Sequence, residues 1–198
     1  MSNNLTDIVK KRLVVGMSGA SGAVLTIKLL QMMKTNNEWE THLVISKGAQ
    51  MTIEQETNYT LTEVETMADF SYDINDYGAK IASGTFHTEG MVIIPCSMKT
   101  VAGIACGYSD NLLLRAADVT IKERRKLVLV PRESPLSTIH LRNMLTVAEA
   151  GAFIMPPVAP YYTQLDNLED MNLQIVGKIL DKFQISIKDF QRWGEPIN

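Results

Sequence analysis

The stretch RLVVGMSGASGAVLTIKLLQMM, residues 12–33, passes in three steps from strand to turn to helix. Residues 12–17 form an apolar run without polar alternation, which suits a strand buried on both faces of a parallel sheet. Glycines at 16, 19 and 22 then turn the chain, and apolar residues recur at helical spacing over about 21–35. The same succession repeats downstream. Runs at 41–46, 91–95, 127–131 and 152–156 read as further strands, and helices are expected over about 47–57, 98–107, 110–125, 137–150 and 167–184. Buried runs alternating with helices predict an α/β fold: a doubly wound, mainly parallel sheet with right-handed crossovers. Residues 58–90 have no clear period and no linker composition.

The chain has 198 residues and a net charge of −3, which suits one unit with a full core. We expect an N-terminal extension at 1–11, a core at 12–185 and a tail at 186–198 carrying Trp193. The slightly negative balance leaves no electrostatic footprint for nucleic acid, and no window is apolar enough for a membrane span. The N-terminus has a basic cluster without an apolar signal core, and two cysteines make no disulfide framework, so a reducing cytoplasm is the expected compartment.

In such a sheet, ligands bind beyond the carboxyl ends of the strands. Those exits read SGASG, SKGAQ, CSMKT, RESP and PVAPYY. In GMSGASG, residues 16–22, glycines allow a tight turn and close approach to N–H groups at a helix N-terminus, where an anion is favoured. The spacing is not the dinucleotide fingerprint, Ser46-Lys47 stands where a ribose-binding acid belongs, and no GK[ST] follows. A mononucleotide fits better. The same stretch also reads as a turn in which Ser18 or Ser21 caps the helix, and both readings stand at this level. Cys96 and Cys106, with His87 or His140 as base, suggest a nucleophile, against which stands the packing role usual for a cysteine at a strand end. His42, His87 and His140 have no metal-ligand spacing, so no metal site is expected.

The segment KERRKLVLVPRESP, residues 122–135, places charge on both sides of a buried strand. The run 122–125 reads as a helix end whose cations complement the dipole and face solvent. Arg132 and Glu133 leave the strand at the ligand end, where an arginine can hold phosphate and a carboxyl beside phosphate can carry a proton. An ion pair between them, or with Arg115 or Arg142, is the structural alternative.

GMSGASGA, LVISKGAQ followed by EQET, IIPCSMKTVAGIACGYSDNLLLRAADVTIKERRKLVLVPRESPLSTIHLRNM, GAFIMPP and the terminal RWG together resemble the UbiX-type flavin prenyltransferases, a family formerly described as components of phenolic or aromatic acid decarboxylases. The resemblance runs from about residue 12 to Trp193 and is most specific over 111–144. It implies a flavodoxin-like or Rossmann-like fold that binds reduced FMN, in a homododecamer with sites between protomers. It also implies transfer of a dimethylallyl group from dimethylallyl monophosphate to N5 and C6 of the flavin. The prenylated FMN then passes to a UbiD-type decarboxylase acting on aromatic acids.

Carried over by position, Gly19, Ala20, Ser21, Ser46, Ser97, Thr100 and Arg132 match the family's FMN site. Ser83, Gly84, Arg115, Lys122, Glu133, Tyr162 and Lys178 match the surroundings of the prenyl phosphate, where cations and a phenol stabilise developing charge. The resemblance makes Glu133 a proton donor or relay, Glu56 a base in ring closure and Ser21 its assistant. Lys122 thereby becomes the exception within its solvated run. Trp193 matches an aromatic residue beside the prenyl tail, able to stabilise allylic cation character; alone it reads as an anchor for the tail. Lys178 departs from the arginine of many relatives, keeping charge but losing the bidentate fork.

Two other functions share this core. An FMN-binding carrier or regulatory component of a decarboxylase would not need Glu133, Lys122 and Tyr162 together. A flavin-dependent cysteine-type decarboxylase would need a PxMNxxMW-like segment, which is missing.

Overall fold

The computed structural model describes residues 10–163 and 165–194. The expected N-terminal extension, apart from its last two residues, and the last four residues of the tail lie outside them.

Six strands form one parallel sheet: β1 (Lys11–Met17), β2 (Trp39–Ile45), β3 (Phe70–Tyr72), β4 (Gly90–Cys96), β5 (Lys126–Pro131) and β6 (Phe153–Ile154). Their order is β3-β2-β1-β4-β5-β6, the Rossmann arrangement. Without the three-residue edge strand β3, the remaining five follow the flavodoxin order, so the two expected descriptions differ by one short strand.

The unbroken apolar runs have a direct cause. Leu13, Val15, Leu43, Ile45, Val92, Ile94, Val128 and Val130 face one core, packed under α1 (Ala23–Lys34) and α7 (Leu168–Asp181). Val14, Val44, Met91, Ile93, Leu127 and Leu129 face a second core, under α4 (Met98–Ala105), α5 (Leu112–Lys122) and α6 (Thr138–Glu149). Side chains alternate between faces along each strand, and both faces are covered, so the strands read as near-continuous apolar runs.

A helix, a strand and the 3-10 turn Lys80–Ala82 within 58–90 escaped the sequence reading. Helix α3 (Leu61–Met67) buries only Val64, too little for a visible period. Its Thr60/Glu63 capping box was the legible signal, a Thr-x-x-Glu spacing. Strand β3 has no apolar run because it is an edge held by tertiary contacts. Phe70 stacks on buried His42 at 4.8 Å, and Asp69 accepts from Thr41 N at 2.8 Å. Strand β6 is shorter than its expected 152–156 because Pro156 and Pro157, which follow Met155, lack the N–H to extend a ladder.

Candidate functional site

Between β1 and β4 the winding of the sheet reverses, and a cleft of about 380 Å³ opens beyond their carboxyl ends. Ser18, Gly19, Ser46, Ser97 and Thr100 line it, with Lys47 and Lys99. Local capping rules position the hydroxyls. Ser46 begins α2 (Lys47–Glu56), accepting from Ala49 N at 3.2 Å, and Ser97 begins α4, accepting from Thr100 N at 3.3 Å. Buried Ser18 ties the first exit to the third: its Oγ accepts from Ser97 N at 2.8 Å. Two helix N-termini and two lysines around one crevice suit an anion.

Gly19 is required by close approach. A Cβ there would lie 2.9 Å from the Cα of Gly48, so the loops after β1 and β2 touch backbone to backbone. Gly48, Lys47, Lys99 and Ser18 were not on the expected site, although each lies within or beside an exit already quoted.

The start of α1 differs from both readings of GMSGASG. Neither Ser18 nor Ser21 caps it; the N-cap is Gly22, in the left-handed region at φ 116. Glu56, the last residue of α2, supplies the cap instead. Its Oε2 accepts from Gly22 N at 2.8 Å and Ala23 N at 2.9 Å. Burial pushes the carboxyl pKa of Glu56 up, but these two N–H groups, the Ser21 hydroxyl and the charge of Arg132 together hold it below the usual range. Ser21, Glu56 and Arg132 therefore form one electrostatic unit, and a phosphate at the α1 terminus would have to displace a carboxylate. The anion position left open lies between α2 and α4.

This unit makes stability depend on pH. Because the pKa of Glu56 is lowered on folding, its contribution is full above the ordinary value of 4.5 and disappears as pH falls through the lowered one. Denaturant melts of the parent and Glu56→Gln should differ by a constant amount at neutral pH and converge as the pH falls through the lowered pKa. A difference independent of pH would contradict the charged cap.

The residues expected around the prenyl phosphate do not meet within one chain. Lys122 ends α5 and precedes β5, so it lies at the amino edge of the sheet. Arg132 and Glu133 follow β5 at the carboxyl edge, separated by roughly 20 Å of strand at about 3.3 Å per residue. Gly84 packs against Lys122, Lys122 pairs with Glu123, and Arg115 donates to Ala82 O at 3.2 Å, so Ser83, Gly84, Arg115 and Lys122 form a cluster at that opposite edge. Tyr162 and Lys178 line a third location, a cavity of about 200 Å³ beside β6. Trp193 stands edge-on to Tyr162 at 5.2 Å.

For the charged segments, one expectation changes and one alternative is not met. Arg125 is not on a solvated face: half-buried, it donates to Gly84 O at 2.6 Å and Phe86 O at 2.9 Å, holding the segment that contains Ser83. Arg132 and Glu133 form no ion pair with each other among the described residues, and Arg115 pairs instead with Asp118 at 2.7 Å. Glu133 is exposed, its Oε1 accepting from Ser134 N at 3.1 Å. Cys96 is fully buried, and burial pushes its thiol pKa up, which disfavours the thiolate a nucleophile needs.

A parallel sheet with a phosphate-suited crevice at its switch point is the arrangement of nucleotide-binding α/β proteins, and residues 1–186 match the Flavoprotein family model. The chain is 50% identical over 185 residues to the flavin prenyltransferase UbiX of Escherichia coli strain K12, covering 92% of this chain and 98% of that one. It is 50% identical over 183 residues to the flavin prenyltransferase LpdB of Lactiplantibacillus plantarum, with 92% and 98% covered. The chain belongs to the UbiX-type flavin prenyltransferase family. Two solved structures superimpose closely. The AnUbiX (PadA1) complex with FMN and dimethylallyl pyrophosphate has a TM-score of 0.92 at 49% identity, covering 95% of this chain and 100% of that one. The dodecameric FMN-dependent UbiX-like decarboxylase of Escherichia coli O157:H7 has 0.91 at 49% identity, covering 93% and 100%. Peptidyl-cysteine decarboxylase EpiD, at 17% identity and a TM-score of 0.60, shares the fold alone.

Proposed function

We propose that the chain transfers a dimethylallyl group from a dimethylallyl phosphate to N5 and C6 of reduced FMN, releasing the phosphate and forming prenylated FMN. The observation that carries this reading is the switch-point cleft, whose two hydroxyl-capped helix termini and two lysines suit one nucleotide phosphate. The flavin prenyltransferases at 50% identity support the same reaction. Gly19, Ala20, Ser46, Ser97, Thr100 and Arg132 hold FMN, which when bound supplies the nucleophilic ring atoms. Glu133 carries a proton for the departing phosphate, while Lys122, Arg115, Lys178 and Tyr162 stabilise its charge. Ser21, bonded to the Glu56 carboxylate, offers a relay for a proton released in ring closure. The π-face of Trp193 stabilises the allylic group.

Three separated clusters in one chain are a physical reason for assembly: a prenyl phosphate touches all three only where copies meet. Helix α6 and the residue just ahead of its N-cap expose apolar side chains suited to that contact. Leu136, Ile139, Leu141 and Leu145 are exposed, and among the described residues of the helix only Val147 is buried. The reading is a homododecamer, as in the E. coli O157:H7 structure. Among the described residues no helix is long and apolar enough to cross a membrane. We place the protein in the cytoplasm, passing its product to a UbiD-type decarboxylase.

The test is anaerobic incubation with reduced FMN and dimethylallyl monophosphate, with the diphosphate in parallel, followed by mass analysis of released flavin. Flavin heavier by one C5 unit is expected. Tightly bound but unmodified flavin with both donors would favour a flavin carrier instead.

A further inference from the structure

Helix α7 reads the C-terminal tail residue by residue. Positions 174, 177, 178 and 181 share one face of the helix. Gln174, only 7% exposed, uses both ends of its amide: Nε2 donates to Asp189 O at 3.2 Å, and Oε1 accepts from Gln191 N at 3.3 Å. The side chain thereby grips the backbone on both sides of Phe190. One turn further, the Phe190 ring lies against Gly177, where a Cβ would sit 2.6 Å from the ring. Another turn on, Asp181 accepts from Arg192, whose guanidinium also lies 5.2 Å from the Phe190 ring centre. Asp189 itself is in the left-handed region at φ 71, which aims the tail along the helix.

This seating has a consequence for the cavity beside β6. Phe190 and Gln174 are two of its walls, together with Tyr162 and Lys178. The remaining lining includes Met155, Pro156, Val158, Ile175 and Ile179, so the cavity is apolar with one cation and one phenol. Its volume of about 200 Å³ is below the usual range for drug-sized ligands, which suits a short branched chain ending in an anion.

We infer that Asp189–Trp193 is a fixed strap over the prenyl half-site, and that Gln174 and Gly177 are its positioning residues. They hold Phe190 as a wall and carry Trp193 to Tyr162. Neither needs to touch flavin. The inference rests on the prenyltransferase reading for its ligand, but not for its geometry.

The test is Gly177→Ala, made in the full chain and in a Phe190→Ala background. Helix propensity alone favours alanine in a helix interior, so a free helix face predicts a more stable protein with an unchanged tail. The strap predicts three results instead. Tryptic cleavage after Lys188 speeds up, KM for the prenyl phosphate rises about tenfold with kcat and FMN affinity changing much less, and the substitution adds nothing once Phe190 is alanine. Parental cleavage and KM would overturn the inference, as would an undiminished effect in the Phe190→Ala background. If the parent forms no prenylated flavin, the function reading fails, and the cleavage rates still decide the strap.

Discussion

Glu133→Gln is expected to slow prenyl transfer by about 10² to 10⁴-fold, the usual contribution of a positioned proton donor, while FMN stays bound. The substitution is conservative where it should be. Glu133 is exposed, and the hydrogen bond it accepts from Ser134 N can be accepted equally well by a glutamine amide oxygen. The loop after β5 therefore keeps its course, and Arg132, whose N–H donates to Cys96 O at 3.3 Å, keeps its place. What glutamine cannot do is hold and release a proton. Single-turnover rates with pre-bound reduced flavin, alongside flavin titration, separate the two effects. Unchanged turnover would remove Glu133 from the chemistry, and lost flavin would move it to the cofactor site.

Mixing two inactive chains is expected to restore activity. Lys122→Ala removes a cation from the amino edge of the sheet, and Glu133→Gln removes the proposed proton carrier from the carboxyl edge. Each change is mild for the fold, since the Lys122–Glu123 pair is exposed and such pairs contribute little to stability. If each site takes Lys122 from one copy and Glu133 from another, random co-assembly should repair about a quarter of the sites, a consequence of symmetric oligomers built from shared interfaces. The measurement is the turnover of co-expressed, differently tagged chains purified through both tags. Activity no higher than that of the separate variants would mean that no site is shared in this way. A single chain would then have to span the roughly 20 Å between sheet edges, at about 3.3 Å per strand residue.

Much of the site could be read in contiguous residues. Ser46 and Ser97 stand one residue before their helices, and capping is a local hydrogen bond, so both exits announced themselves. Gly19 was legible as a glycine, but not as one required by Gly48, because the two loops are neighbours only after β1 and β2 pair. Glu56 shows the limit clearly. It was carried into the site by resemblance, whereas its bonds to Gly22 and Ala23 come from α2 lying beside α1.

The strand runs, the helices between them and the polar exits are therefore properties of the sequence. Burial on both faces demands unbroken apolar residues, and strand ends and caps depend on groups a few positions apart. Which ends meet was decided by packing. Folding set Lys122 and Arg132 at opposite edges of the sheet, seated Arg125 on the backbone at Gly84 and laid the tail along α7. Those pairings join residues far apart in the chain, and their geometry follows from how whole helices settle on the sheet, a sum of many contacts that no local pattern records.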